Sequence, residues 1–232
     1  MAPSFPDTHW SAVVAAGSGA NAALSEMCRT YWLPLYVFAR QRQLSAADAQ
    51  DAVQSFLADF IDRNDFARAT PERGRFRSYL LVAFRNALAN TRRRAAAAKR
   101  GGGLKIPWEY AEAQLVREAD PAMSPEALYE RHWALTVLER VDTRLAESYA
   151  GKESLLRALR PIVRGEPRGG GGYRELAADL GMSEGALKVA VHRMRRRYGE
   201  FLRQEVAATV VDPADIDSEL RELIRAVSGP QL

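Results

Sequence analysis

The stretch Tyr173 to Tyr198, YRELAADLGMSEGALKVAVHRMRRRY, constrains the fold most, because its apolar spacing fits two helices joined by one tight turn. Leu176, Ala177 and Leu180 share a face of a first short helix, Gly181 interrupts it, and Leu187, Ala190, Val191 and Met194 share a face of a second. Ala177 is small where the two helices touch, and Gly181 can take the positive φ that the turn requires. Ser183 is placed to cap the second helix, its hydroxyl accepting an amide hydrogen of the first turn. The spacing therefore predicts a helix-turn-helix. Glu184, Gly185, Lys188, His192, Arg195 and Arg196 face outward. At the start of a recognition helix such positions meet base edges, whereas Arg193, Arg195, Arg196 and Arg197 near its end suit phosphates. A plain helical hairpin with a solvated basic face has the same pattern, and the motif by itself names no function.

Charge is segregated along the chain. A net charge of +4 and a pI near 9.4 lean toward a nucleic-acid partner. Residues 63–105 hold twelve Lys or Arg against two acidic residues, residues 44–62 hold four Asp and no basic residue, and residues 205–232 hold six acidic against two basic. This pattern suggests separate surfaces for an anionic and a cationic partner. With 232 residues, 47% of them hydrophobic, one or two cores can be buried. Cys28 is the only cysteine, which excludes an internal disulfide and fits a reducing compartment. His9, His132 and His192 are scattered, with no zinc-ligand spacing. The N-terminus lacks a basic start followed by an apolar run, no apolar stretch approaches membrane length, and a cytoplasmic location is expected.

An all-α chain is expected. Residues 1–19 are short on structural signals, although Trp10, Val13 and Val14 could start a short helix. Leu24, Met27, Tyr31, Leu35 and Phe38 predict a core-facing helix over 20–43, with a kink or a join at Pro34. Ser45 and Asp48 resemble a capping box ahead of a helix with Val53, Phe56, Leu57, Phe60 and Ile61 as its stripe. Asp48, Asp51, Ser55, Asp59 and Asp62 avoid that stripe, as either a solvated acidic face or a docking face for a basic partner. After a loop at 64–74 a long helix turns Phe76, Leu80, Ala83, Phe84 and Ala87 inward. Arg77, Arg85 and Arg92 are expected on its broad outer face among Tyr79 and Asn86, giving charge for phosphates, a ring for stacking and an amide for base edges. Gly101 to Pro125 reads as a linker. Ser124 and Pro125 open a new helix as N-cap and first-turn proline, followed by Leu-rich stripes at 128–145 and 155–163. The run RGGGG at 168–172 lacks the ending of a phosphate loop. Residues 212–228 form an acidic amphipathic helix, with Ile216, Leu220, Leu223 and Val227 on a face expected to pack.

Two parts of the chain, in order, resemble the extracytoplasmic-function sigma factors of the sigma-70 family. DAQDAVQSFLADF followed by FRSYLLVAFRNALANTRRR is similar to sigma domain 2, and YRELAADLGMSEGALKVAVHRMRRRY is similar to sigma domain 4. With their supporting helices they cover most of residues 20–205, and the opening THWSAVV looks most like a subgroup with an extended C-terminal tail. The resemblance implies two small helical domains, 1–100 and 124–206, joined by a linker at 101–123 and followed by an acidic tail at 207–232. It implies docking on the beta-prime clamp helices of core RNA polymerase through Asp48, Gln50, Asp51, Gln54, Ser55 and Phe56. It implies that the minus-10 promoter element and its opened strand are held by Arg73, Arg75, Arg77, Tyr79, Arg85, Asn86, Arg92 and Arg93. The minus-35 duplex would be read by Ser183, Glu184, Gly185, Lys188, His192, Arg193, Arg195 and Arg196. No cofactor and no chemistry of its own are implied, and control by an anti-sigma protein, a Ser/Thr kinase or the acidic tail is left open. Gln50 and Ser55 stand where the family usually has acids, and Asn90 where an Asp is common. Phosphorylation of Ser55 or a neighbour would restore the missing charge.

The alternative is a helix-turn-helix repressor or activator that binds duplex DNA as a dimer. It explains residues 173–198 but leaves the acidic helix and the basic helix after it without a role. An enzyme acting on nucleic acid is a more distant reading, because no metal-spaced acids and no nucleophile with a paired histidine stand out.

Overall fold

The computed structural model describes residues 20–63, 65, 75–95, 123–166, 172–210 and 212–228, with side chains described over 28–63, 65, 75–90 and 123–228 within those spans. All regular structure among them is helical: α1 (Ala20–Gln41), α2 (Ala46–Asp62), α3 (Phe76–Ala95), α4 (Pro125–Ser148), α5 (Glu153–Arg164), α6 (Tyr173–Asp179), α7 (Glu184–Ala207), a short 3₁₀ turn (Pro213–Asp215) and α8 (Ile216–Ser228). The expected short helix near Trp10 and nearly all of the linker lie outside the described residues.

The chain packs as two units. The first comprises residues up to Thr136 together with Val206–Leu232, and the second is Val137–Glu205. This differs from the expected division at 101–123. The first half of α4 and the tail join the N-terminal helices, because their buried residues, among them Leu128, Tyr129, Trp133, Ile216 and Leu223, pack in that unit.

Unit 1 is built on aromatic side chains. Phe56 of α2 meets Phe84 of α3 at 5.0 Å and Phe60 at 5.4 Å, Tyr31 of α1 meets Phe76 edge-on at 5.4 Å, and Phe38 lies 6.2 Å from Phe84. Such rings bury large apolar areas and prefer tilted or edge-on contacts, so a few residues fix three helices. Helix α1 runs unbroken through Pro34, where a kink or a join is expected. Leu35, Tyr36, Val37, Phe38 and Ala39 are all buried just beyond the proline. Their burial offsets the roughly 3 kcal/mol that an interior proline costs a helix. Ser45 caps α2 as expected: its Oγ accepts from the Asp48 amide (3.1 Å) and donates to the Asp48 carboxylate (2.7 Å). Ser124 likewise accepts the Ala127 amide at the start of α4 (3.1 Å).

Unit 2 closes around Leu145, Leu159, Ile162, Ala177, Leu187, Val191 and Met194, drawn from α4, α5, α6 and α7. Gly181 has φ +64, and Ser183 Oγ accepts the Ala186 amide at 3.2 Å, so the helix-turn-helix forms at the predicted residues. Two buried carboxylates tie helix to helix. Asp142 of α4 pairs with Arg160 (3.2 Å) and Arg164 of α5, and Glu205 of α7 pairs with Arg140 (2.8 Å) and Arg144 (2.7 Å) of α4. The Arg144 guanidinium also stacks over Phe201 at 4.5 Å.

Candidate nucleic-acid and partner interfaces

Unit 2 presents α7 with its apolar face inward and its polar face open. Ser183, Glu184, Gly185, Lys188, His192, Arg193, Arg195, Arg196 and Arg197 are all exposed. At the front of the helix Glu184 and Lys188 form an i, i+4 pair at 2.6 Å. The hydrogen bond and charge of Lys188 hold the Glu184 carboxyl below its ordinary range, and Glu184 in turn raises the Lys188 ammonium. This pair offers one acceptor and one donor to base edges, provided that a base displaces the intrahelical contact. Farther along, Arg196 pairs with Glu200 (2.9 Å), and Arg195 reaches back to the Ile162 carbonyl (3.4 Å). Arg195 therefore steadies the packing of α7 on α5 while remaining solvent-accessible.

Val189 was not expected here. It is 49% exposed, a large apolar side chain beside Lys188 on the open face. Its signal in the sequence is that it falls off the Leu187, Ala190, Val191, Met194 stripe while remaining apolar. An exposed methyl pair at the front of such a helix is suited to the methyl group of thymine.

In unit 1, Asp48, Asp51, Ser55, Asp59 and Asp62 are exposed on α2, and Gln50 and Gln54 are half-buried. Asp48 is also engaged by the Ser45 cap, and Asp59 pairs with Arg63 at 3.0 Å. Phe56 does not belong with them. It is 7% exposed and inserted between Phe60 and Phe84, so it supports the acidic face from below rather than presenting to a partner.

The basic helix departs most from expectation. Arg85 and Asn86 are exposed on α3, as expected, with Val82 beside them. Tyr79 is half-buried, its ring 6.1 Å from Phe60 and its hydroxyl directed at the Asp65 carbonyl at 3.5 Å. Arg77 is not on the outer face: it is 3% exposed. Its guanidinium is paired with Glu130 of α4 and Glu219 of α8 and lies 4.3 Å over the Trp133 ring. The reason is rotational. Arg77 is seven residues before Phe84, two turns of helix, which puts it on the apolar stripe and not opposite it. Arg75, just before α3, is one-third exposed and pairs with Glu219 (2.9 Å) and Glu222 (3.5 Å). Glu222 feels burial pushing its carboxyl up, but the hydrogen bond from Arg225 and the charges of Arg75 and Arg77 prevail and hold it below the ordinary range. Arg73 lies outside the described residues, as do the side chains of Arg92 and Arg93.

Among the described residues no group of His, Cys, Asp and Glu could hold a metal ion, and no helix is long and apolar enough to cross a membrane. Comparison with protein-family models, curated proteins and solved structures gave no match.

Proposed function

We propose that the chain is an RNA polymerase sigma factor of the extracytoplasmic-function kind, binding core polymerase and directing it to promoters. The observation that supports this best is the division of labour between the units. Unit 2 carries a helix-turn-helix whose reading positions are open, and unit 1 carries exposed carboxylates on α2 and exposed Arg85 and Asn86 on α3. A duplex-binding regulator needs only the first of these. A protein that joins a polymerase to an opened promoter needs an anionic docking face, a cationic strand-holding face and a duplex reader together. In this reading the acidic face of α2 docks on the beta-prime clamp helices, α3 holds the minus-10 strand and α7 reads the minus-35 duplex. The factor works in the cytoplasm and contributes no chemistry of its own.

The test is co-purification with bacterial core RNA polymerase, followed by run-off transcription from the region upstream of the chain's own coding sequence. Stable binding with new, specific transcripts is the expected result. Tight binding to a palindromic duplex as a dimer, without polymerase, would replace the proposal with the repressor or activator reading.

A further inference from the structure

The tail helix α8 sets its carboxylates against the beginning of the basic helix. Glu219, whose side chain is 2% exposed, pairs with both Arg75 and Arg77, and Glu222 adds a second carboxylate to Arg75. Ile216 and Leu223, three residues before Glu219 and four after it, are buried as well, so the helix is held by its apolar face with the charge pair at its centre. Farther along α3, the side chains of Arg85 and Asn86 stay exposed.

We propose that α8 is an intramolecular stand-in for the phosphates of a nucleic-acid strand, which caps the cationic entrance of α3 until it is displaced. The chemistry of the contact is that of a phosphate site: a fork of guanidinium donors facing oxygen acceptors, at the start of a helix that also exposes Arg85. A carboxylate and a phosphate oxygen compete for the same donors. Arg75 is the exchangeable member, because it is one-third exposed and its ion pairs among the described residues are with the tail carboxylates Glu219 and Glu222. Arg77 is the anchor, because Glu130 and the Trp133 ring hold it independently of the tail. The proposal rests on reading α3 as a strand-holding face. It adds that the free protein keeps the arginines at the start of α3, Arg75 above all, occupied by the tail.

The experiment compares binding of a fluorescein-labelled, mixed-sequence, 20-nucleotide single-stranded DNA by three proteins: the full chain, the full chain with Glu219→Gln, and the chain ending at Val210. Anisotropy is read across a salt series without polymerase. If the tail stands in for phosphate, both variants bind more tightly, on the order of tenfold, and the log-log salt slope steepens by about 0.7 for each phosphate gripped by a released arginine. A peptide of residues 211–228 added to the shortened chain should reverse the gain. Unchanged affinity and slope in Glu219→Gln, with native tryptophan emission, would overturn the proposal. So would loss of DNA binding by the shortened chain that the peptide restores, since the tail would then be a structural strut. Run-off transcription with core polymerase separates this outcome from the sigma-factor reading: a full chain that directs transcription while the variants show no gain leaves that reading standing and removes only the mask.

Discussion

Replacing Glu219 by Leu removes the tail carboxylate that pairs directly with Arg77. Arg77 and Glu219 are both almost fully buried, at 3% and 2% side-chain exposure. Breaking a buried pair by removing one partner costs about 3–5 kcal/mol, mostly because the surviving charge is left in a poor solvent. Here Glu130 still pairs with Arg77, at 31% exposure and partly screened by water, so the lower end, about 3 kcal/mol, applies. Trp32 and Trp133 are buried in unit 1 and residues 137–205 contain no tryptophan, so the loss of their buried emission reports the unfolding of unit 1. With a urea m-value of about 2 kcal/mol per M, the midpoint should fall by about 1.5 M. The double change Arg77→Met with Glu219→Leu removes both charges and fills the same space, and should return most of that loss. A single-variant shift below about 0.3 M, the range of ordinary surface changes, would refute this account. A double variant as unstable as the two singles summed would refute it equally.

Gly181→Ala places a side chain at φ +64 and should destabilise unit 2 by about 1 kcal/mol, seen in the far-ultraviolet circular dichroism melt with tryptophan-detected unfolding unmoved. Burial, followed by the charge of Arg131, lowers the His132 pKa from 6.5 to about 4. Between those values only the unfolded chain takes the proton, so the stability of unit 1 is intact above pH 6.5 and falls by on the order of 3 kcal/mol as pH drops to 4. His132→Gln should flatten that part of the urea-midpoint profile against pH relative to wild type. On a promoter duplex, Lys188→Ala should alter preference at one base-pair position by about 1–3 kcal/mol. Arg196→Ala should instead weaken all sequences alike and reduce the salt slope by about 0.9; a uniform loss in both variants would mean that Lys188 does not read a base. Ser55→Glu, on the exposed face of α2, should raise affinity for core polymerase, and equal retention on immobilised core would end the idea that phosphorylation acts there.

What the sequence made legible was local. Ser45, Ser124, Gly181 and Ser183 do their work within four residues of themselves, and each stands where its pattern predicts. The apolar stripes of α2 and α7 were readable because periodicity reports which face is buried. An arginine's identity favours the surface, whereas the phase of Arg77, two turns from Phe84, favours the core, and the phase prevails. The partner that decides the matter, Glu219, is remote in the chain. Phe56 was legible as core from its stripe, and its place on a docking face came only from the resemblance. The division into units was hidden for the same reason: nothing near Pro125 or Val206 announces that these segments complete the N-terminal helices.

The discontinuity of unit 1 has a consequence for synthesis on the ribosome. Unit 2 has all of its residues once Glu205 has emerged, but unit 1 waits for α8. At the usual 5–20 residues per second, Glu219 follows Arg77 by on the order of ten seconds. For that interval Arg75 lacks both of its tail carboxylates. The nascent chain is thus more cationic around Arg75 and Arg77 than the finished protein, and α8 is the last element needed to neutralise it.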